Sequence, residues 1–395
     1  MPTTIRQPQL YQEDAVSKSR KSVVVLCLAL LASAGFAQKI TRLQVTQGDS
    51  AYIPGGKPMF AVIHRPAGAS PAVVSPDAQV PIWSSSFTFN GSTFIYHMVG
   101  TDPAAGSATS NIPLVIIPIK FRFPDGTTLS ATQTVCGDVK NSVFRVKNSP
   151  LIKKATFTPG GTNVGTTQYM DAFQRANFWN FVSTTSPNYH ILFNPISTKP
   201  VQTINVGANG FTVAGPCAQI GEVDINFFDT VAQSLLSSLA IPANTLPVFL
   251  NYNTFLTSGG CCILGYHSTN NAGTQAYAVA AYSDPGIFSA AGIRDIHSLS
   301  HEMGEWLDDP LIPSVNIVPA WGHVGQVSGC QNDLETGDPV TGNAFTVAIG
   351  GTFPFSYHPE DLVFLPWFAR ESPSTSVNGW FTFLNAFSSP QAVCH

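Results

Sequence analysis

The sequence predicts an α+β fold, in which a β-rich region precedes a larger mixed region built around one helix. Three observations carry that expectation. The first 160 residues hold β-branched and aromatic runs separated by Pro/Gly turns. Apolar residues recur at helical spacing further on, and a His-Glu-x-x-Glu pattern occupies residues 301–305. Apolar residues make up 44% of the chain and charged residues only 11%, so a core can form and a disordered chain is excluded.

Residues 1–37 read as a signal peptide. Arg6, Lys18, Arg20 and Lys21 precede an apolar and small-residue run at 23–34, and small residues continue to Ala37. The run is too short to span a bilayer comfortably. Cys27 follows Leu26 and not a small residue, which argues against a lipid anchor. The mature chain is therefore expected to be secreted, extracellular or periplasmic, with no membrane span.

The β-rich region is expected over 38–160, with strands at 61–64, 87–96 and 114–123, a turn at Pro124-Asp125-Gly126, and a loop or linker at 103–112. The second region, 161–395, shows helical spacing at 168–182 and 223–239 and strand-like runs at 248–252, 263–267 and 276–282. A helix is expected over 290–308, stopped by Pro310 and Pro313, which cannot continue the hydrogen-bond ladder. The remainder is rich in Gly, Pro and aromatics and reads as irregular, with short strands.

The formal charge is -4; Arg6, Lys18, Arg20 and Lys21 against Glu13 and Asp14 give the leader +2, leaving about -6 for the rest. With no basic run, nucleic-acid binding has no electrostatic support. Beyond the leader stand Cys136, Cys217, Cys261, Cys262, Cys330 and Cys394. An even number in an exported chain implies three disulfides, with about fifteen pairings open. Cys261 and Cys262 are expected to have separate partners, with a strained vicinal bridge between them as the lesser alternative, and Cys330 to brace the loop that follows it. No Cys-x-x-Cys occurs, which argues against a thiolate zinc site.

His301 and Glu305 are four residues apart and so share one helix face, where both can offer lone pairs to a single ion. Glu302 points round the edge, where it can reach a metal-bound water without being a ligand. Glutamate is scarce, with seven in the chain. The competing expectation is a solvated helix face. A third ligand is sought downstream, with Glu335 favoured over Asp338, then His323 or His358. His297 lies on the same face, but positions 297 and 305 are about 12 Å apart along a helix axis. It therefore suits packing, substrate contact or support of a ligand better than it suits ligation, with a His297/His301 pair as the lesser alternative. Asp309 is a candidate to orient a ligand histidine.

His301, Glu302, Glu305, Asp309 and Pro310, followed by Glu335, Gly337 and Asp338, give a pattern that resembles secreted zincin-like proteins. Its nearest likeness is to the phosphate-induced, EXORDIUM-type proteins of plants and related uncharacterised bacterial secreted proteins. The likeness covers roughly residues 245–345. It implies a zincin-like core with a mixed or antiparallel sheet, the run at 276–282 flanking the metal helix.

The expected function is that of a metal-dependent hydrolase, zinc being the first choice and other divalent metals acceptable, acting as a peptidase on peptide or protein substrates. His301, Glu305 and Glu335 hold the ion, Glu302 is the general base, and Tyr266, His267 or His297 donates to the oxyanion. The alternative is a non-catalytic protein that contacts cell-wall polysaccharide through aromatics such as Trp321, Trp367, Trp380 and Phe381. A serine hydrolase lacks its Gly-x-Ser-x-Gly elbow.

Overall fold

A computed structural model describes residues 39–44, 50–64, 79–312, 317–322, 330–390 and 394. The expected signal peptide and His323 lie outside the described residues. Residues Gln38–His395 form one compact unit.

Strands β1 (Lys39–Gln44) and β2 (Met59–His64) pair antiparallel. A hairpin of β3 (Ile82–Phe89) and β4 (Ser92–Val99) replaces the single run expected at 87–96. Asn90 and Gly91, at φ 48° and 78°, supply the two-residue turn whose backbone matches the twist of the flanking strands. β5 (Thr109–Arg122) begins inside the segment expected to be a loop. Its small polar residues alternate between exposed and buried in step with Ile112, and so extend the strand.

β6 (Thr128–Ser130) folds back on β5, and α1 (Ser142–Lys147) leads to a ribbon of β7 (Ala155–Phe157) and β8 (Gly165–Thr167). The helix expected at 168–182 is divided at Phe178 into α2 (Tyr169–Asn177) and α3 (Trp179–Val182). β9 (His190–Thr198), β10 (Gln202–Asn205), β11 (Gly210–Val213) and β12 (Ile220–Asp224) follow. Asp224 then caps α4 (Ile225–Ser238), its carboxylate accepting from the Phe227 N–H.

The three runs expected next appear within β13 (Leu246–Tyr252), β15 (Ile263–Thr269) and β16 (Ala276–Tyr282), with the short β14 (Thr254–Thr257) between the first two. The metal-motif helix is α5 (His297–Asp308). β17 (Val347–Ile349), β18 (Phe355–Tyr357) and α6 (Leu365–Ala369) complete the described elements.

The architecture is α+β, centred on a mixed twelve-stranded sheet whose main path runs β10-β5-β13-β16-β15-β14-β12-β11. β5, β13 and β16 are parallel neighbours, whereas β15 is antiparallel to β16. Strands from both sides of residue 160 share the sheet: β2 pairs with β15 and β5 with β13. Every residue of β13 is buried, as expected of a strand covered on both faces.

α5 packs on β15 and β16 and against α2. It starts at His297 and not near 290, because Asp295 adopts φ 43°, a left-handed conformation that a helix cannot include. At its end Asp309 N–H donates to the Glu305 carbonyl, and Pro310 has no N–H with which to go further.

The six cysteines lie at disulfide distance in three pairs: Cys136–Cys217, Cys261–Cys262 and Cys330–Cys394. The adjacent cysteines thus face each other and not separate partners, because the other four are already matched among themselves. Cys330 ties the segment ahead of Glu335 to the C-terminal end, as expected. Among the described residues no helix is long and apolar enough to cross a membrane.

Phe249 is fully buried on β13, where its ring meets Phe228 and Tyr277 edge-on. Phe249→Ala should lower the unfolding free energy by about 3–5 kcal/mol, as read by denaturant titration.

Candidate metal centre

All twelve residues of α5 are buried, five of them ionisable: His297, His301, Glu302, Glu305 and Asp308. The alternative of a solvated helix face is thereby removed. A helix that sinks so many polar side chains into the interior must partner them there.

His301 sits at the centre. Its Nε2 lies 2.9 Å from Glu305 Oε1 and 3.4 Å from Asp338 Oδ1. On the far side its Nδ1 meets Glu360 Oε2 at 2.8 Å. The ring stacks on Phe60, with centroids 3.3 Å apart and planes 9° from parallel. Gly337 also closes on it: a Cβ there would come within 2.3 Å of His301 Nδ1. Gly337 N and Asp338 N both donate to Glu305 Oε1, at 3.2 and 3.3 Å, which seats the 335–338 loop against the helix.

β15 supplies a second histidine. Alternation along the strand puts Gly265 and His267 on the face towards α5 and Tyr266 on the opposite face, where its hydroxyl donates to Asp229. His267 Nδ1 is 3.3 Å from Glu302 Oε2, 3.6 Å from Glu305 Oε2 and 4.0 Å from Glu335 Oε2. Its Nε2 meets the Asp309 carbonyl at 3.3 Å. Asp309 therefore engages a histidine through its backbone. Gly265 leaves the space that Glu302 fills, since a Cβ there would lie 2.6 Å from Glu302 Oε1.

Around α5, two groups of side chains can each converge on an ion: His301, Glu305 and Asp338, and His267, Glu305 and Glu335. Glu335 and Asp338, both named from sequence, thus stand beside Glu305 but next to different histidines. His297 does not enter either group; its Nε2 lies 3.3 Å from Glu360 Oε2. His358 pairs instead with Asp295 at 2.7 Å. Sequence reasoning missed Glu360 altogether and considered His267 only as a donor. The available signal was scarcity, because four of the chain's seven glutamates meet here: Glu302, Glu305, Glu335 and Glu360.

The electrostatics follow from burial. Glu302 and Glu335 are pushed well above the usual carboxylate range, first by desolvation and then by the neighbouring Glu305. Desolvation lifts Glu360 to about 8 against the opposing pull of His301. Burial works against charge on His301, but the facing Glu305 and Glu360 outweigh it and raise its pKa well above the ordinary value. Burial lowers His267, and it brings His297 to about 3 with help from His301. Both oxygens of Glu335 and Oε1 of Glu302 are buried without a hydrogen-bond donor. A hard or borderline dication suits such an oxygen-rich set with imidazole nitrogen.

The aromatics divide. Trp321, Trp367 and Phe381 are core residues, and Trp321 meets Trp367 edge-on. Trp380 is only half-buried, beside a groove of about 610 Å³ between β7 and β17. No known protein family, curated protein or solved structure matches the chain.

Replacing Gly337 with Ala forces a methyl group onto the His301 ring. The variant should lose about 1–3 kcal/mol of stability and bind metal more weakly than the parent, as read by thermal melting and by metal analysis of the purified protein.

Proposed function

We propose that this chain is an exported, metal-dependent hydrolase of the peptidase class, with zinc as its first-choice ion. One observation carries the reading: His301 Nε2, Glu305 Oε1 and Asp338 Oδ1 converge in the interior while Glu360 holds the ring from behind. A carboxylate behind a ligand histidine fixes its tautomer and raises its basicity. Asp338 takes the third-ligand role beside His301, with Glu335 beside the same Glu305. When bound, the ion supplies Lewis acidity and lowers the pKa of a water.

Within this reading Glu302 takes the proton. It stands between His301 and Glu305 on α5 and lies outside both converging groups, and burial raises its proton affinity above that of an ordinary carboxylate. The peptide class comes from the helix pattern and its likeness to zincin-like and EXORDIUM-type proteins. That likeness is supported by α5 lying against the antiparallel pair β15 and β16. A His/Glu/Asp set brings two negative charges where a His/His/Glu set brings one. The ion then polarises water less, and turnover should be slower than in an ordinary zinc peptidase.

Glu302→Gln should retain metal and lose roughly 10²–10⁴-fold in turnover on a peptide library. Full activity in that variant, or a purified protein without stoichiometric metal, would contradict the assignment.

A further inference from the structure

Glu305 offers its two oxygens in two directions. Oε1 faces His301 Nε2 at 2.9 Å, and Oε2 faces His267 Nδ1 at 3.6 Å. Each imidazole is engaged from behind by an oxygen, His301 Nδ1 by Glu360 and His267 Nε2 by the Asp309 carbonyl. With the rear nitrogen donating to that oxygen, the front nitrogen carries a lone pair towards Glu305. Beside each front nitrogen a further carboxylate converges with Glu305: Asp338 Oδ1 at 3.4 Å from His301, and Glu335 Oε2 at 4.0 Å from His267, where Glu302 Oε2 stands nearer at 3.3 Å but outside the converging group. The two halves have the same composition, one imidazole and one carboxylate of their own, with Glu305 common to both.

We propose that the centre holds two divalent cations bridged by the Glu305 carboxylate, one on His301 and Asp338 and the other on His267 and Glu335. The proposal rests on the metal-dependent reading above and adds the second ion to it. Charge supports it independently. Glu302, Glu305, Glu335, Asp338 and Glu360 are at most 2% exposed, and their ion pairs among the described residues are with histidines. A second dication offsets more of this buried carboxylate charge than one does. Both oxygens of Glu335 are buried without a protein N–H within hydrogen-bond reach, and a second ion beside His267 gives them a partner that an ion on His301 does not. A bridging carboxylate spaces two ions about 3.5–4 Å apart, the separation at which a pair can clamp both the attacking and the departing oxygen of a substrate.

The test is metal stoichiometry in full-length protein, stripped with chelator and reloaded with Zn²⁺ or Mn²⁺, by mass spectrometry and by electron paramagnetic resonance of the manganese form. The parent should hold two ions per chain and show exchange coupling between the manganese ions. His267→Ala and Glu335→Gln should each hold one, uncoupled. One ion in the parent, with no coupling and the same content in both variants, would overturn the second ion and leave the metal-dependent reading standing. No ion in any form would overturn both. The parent's stoichiometry and coupling decide the matter even where a variant does not fold.

Discussion

Glu302, Glu305, Glu335, Asp338 and Glu360 share one small region of the interior, where each lies beside His267 or His301. Ionised carboxylates about 4 Å apart repel by about 4 kcal/mol even at an effective dielectric of 20, before the cost of removing each from water. Protonation relieves that repulsion, and so does a cation. The raised pKa values of Glu302, Glu335 and Glu360 show how strongly the fold works against charge when no cation takes part.

The surrounding architecture is arranged around this constraint. The antiparallel pair of β15 and β16 carries α5, so that the two front nitrogens, His301 Nε2 and His267 Nδ1, reach Glu305 from opposite elements. Two glycines make the approach possible: Gly265 beside Glu302, and Gly337 against the His301 ring. Gln331 donates to Asp338 Oδ2, and Ser300 accepts from the Glu360 N–H, so the supporting carboxylates are themselves held. Cys330 anchors the segment from which Gln331, Glu335 and Asp338 all come.

Local pattern made much of this readable. β13, β15 and β16 fell where the apolar runs stood, and His301, Glu302 and Glu305 follow from helical spacing alone. The N-terminal limit of α5 was not readable, since nothing in a propensity argument places Asp295 at φ 43°. The hairpin at Asn90-Gly91 was there to be read, but the apolar run across it masked the turn. Glu360 and His267 needed tertiary structure: they lie 59 and 34 residues from His301 along the chain and reach it only when the sheet and the C-terminal segment close. The buried state of the helix was also hidden, because five ionisable side chains in twelve residues read locally as a solvated face.

The account stands on a cation that balances this buried charge, and pH separates the charged from the protonated alternative. Without an ion, carboxyls raised above their unfolded value of 4.5 contribute stability that is complete below that value. The contribution is lost as pH rises through the folded values, about 8 for Glu360. A bound ion favours the ionised form and binds only the folded chain, which reverses the slope. Melting temperatures of metal-loaded and chelator-stripped protein, compared from roughly pH 5 to pH 8, give the most direct test. The account predicts a gap that widens with pH as the stripped chain loses stability; melting curves that coincide throughout the range would contradict it.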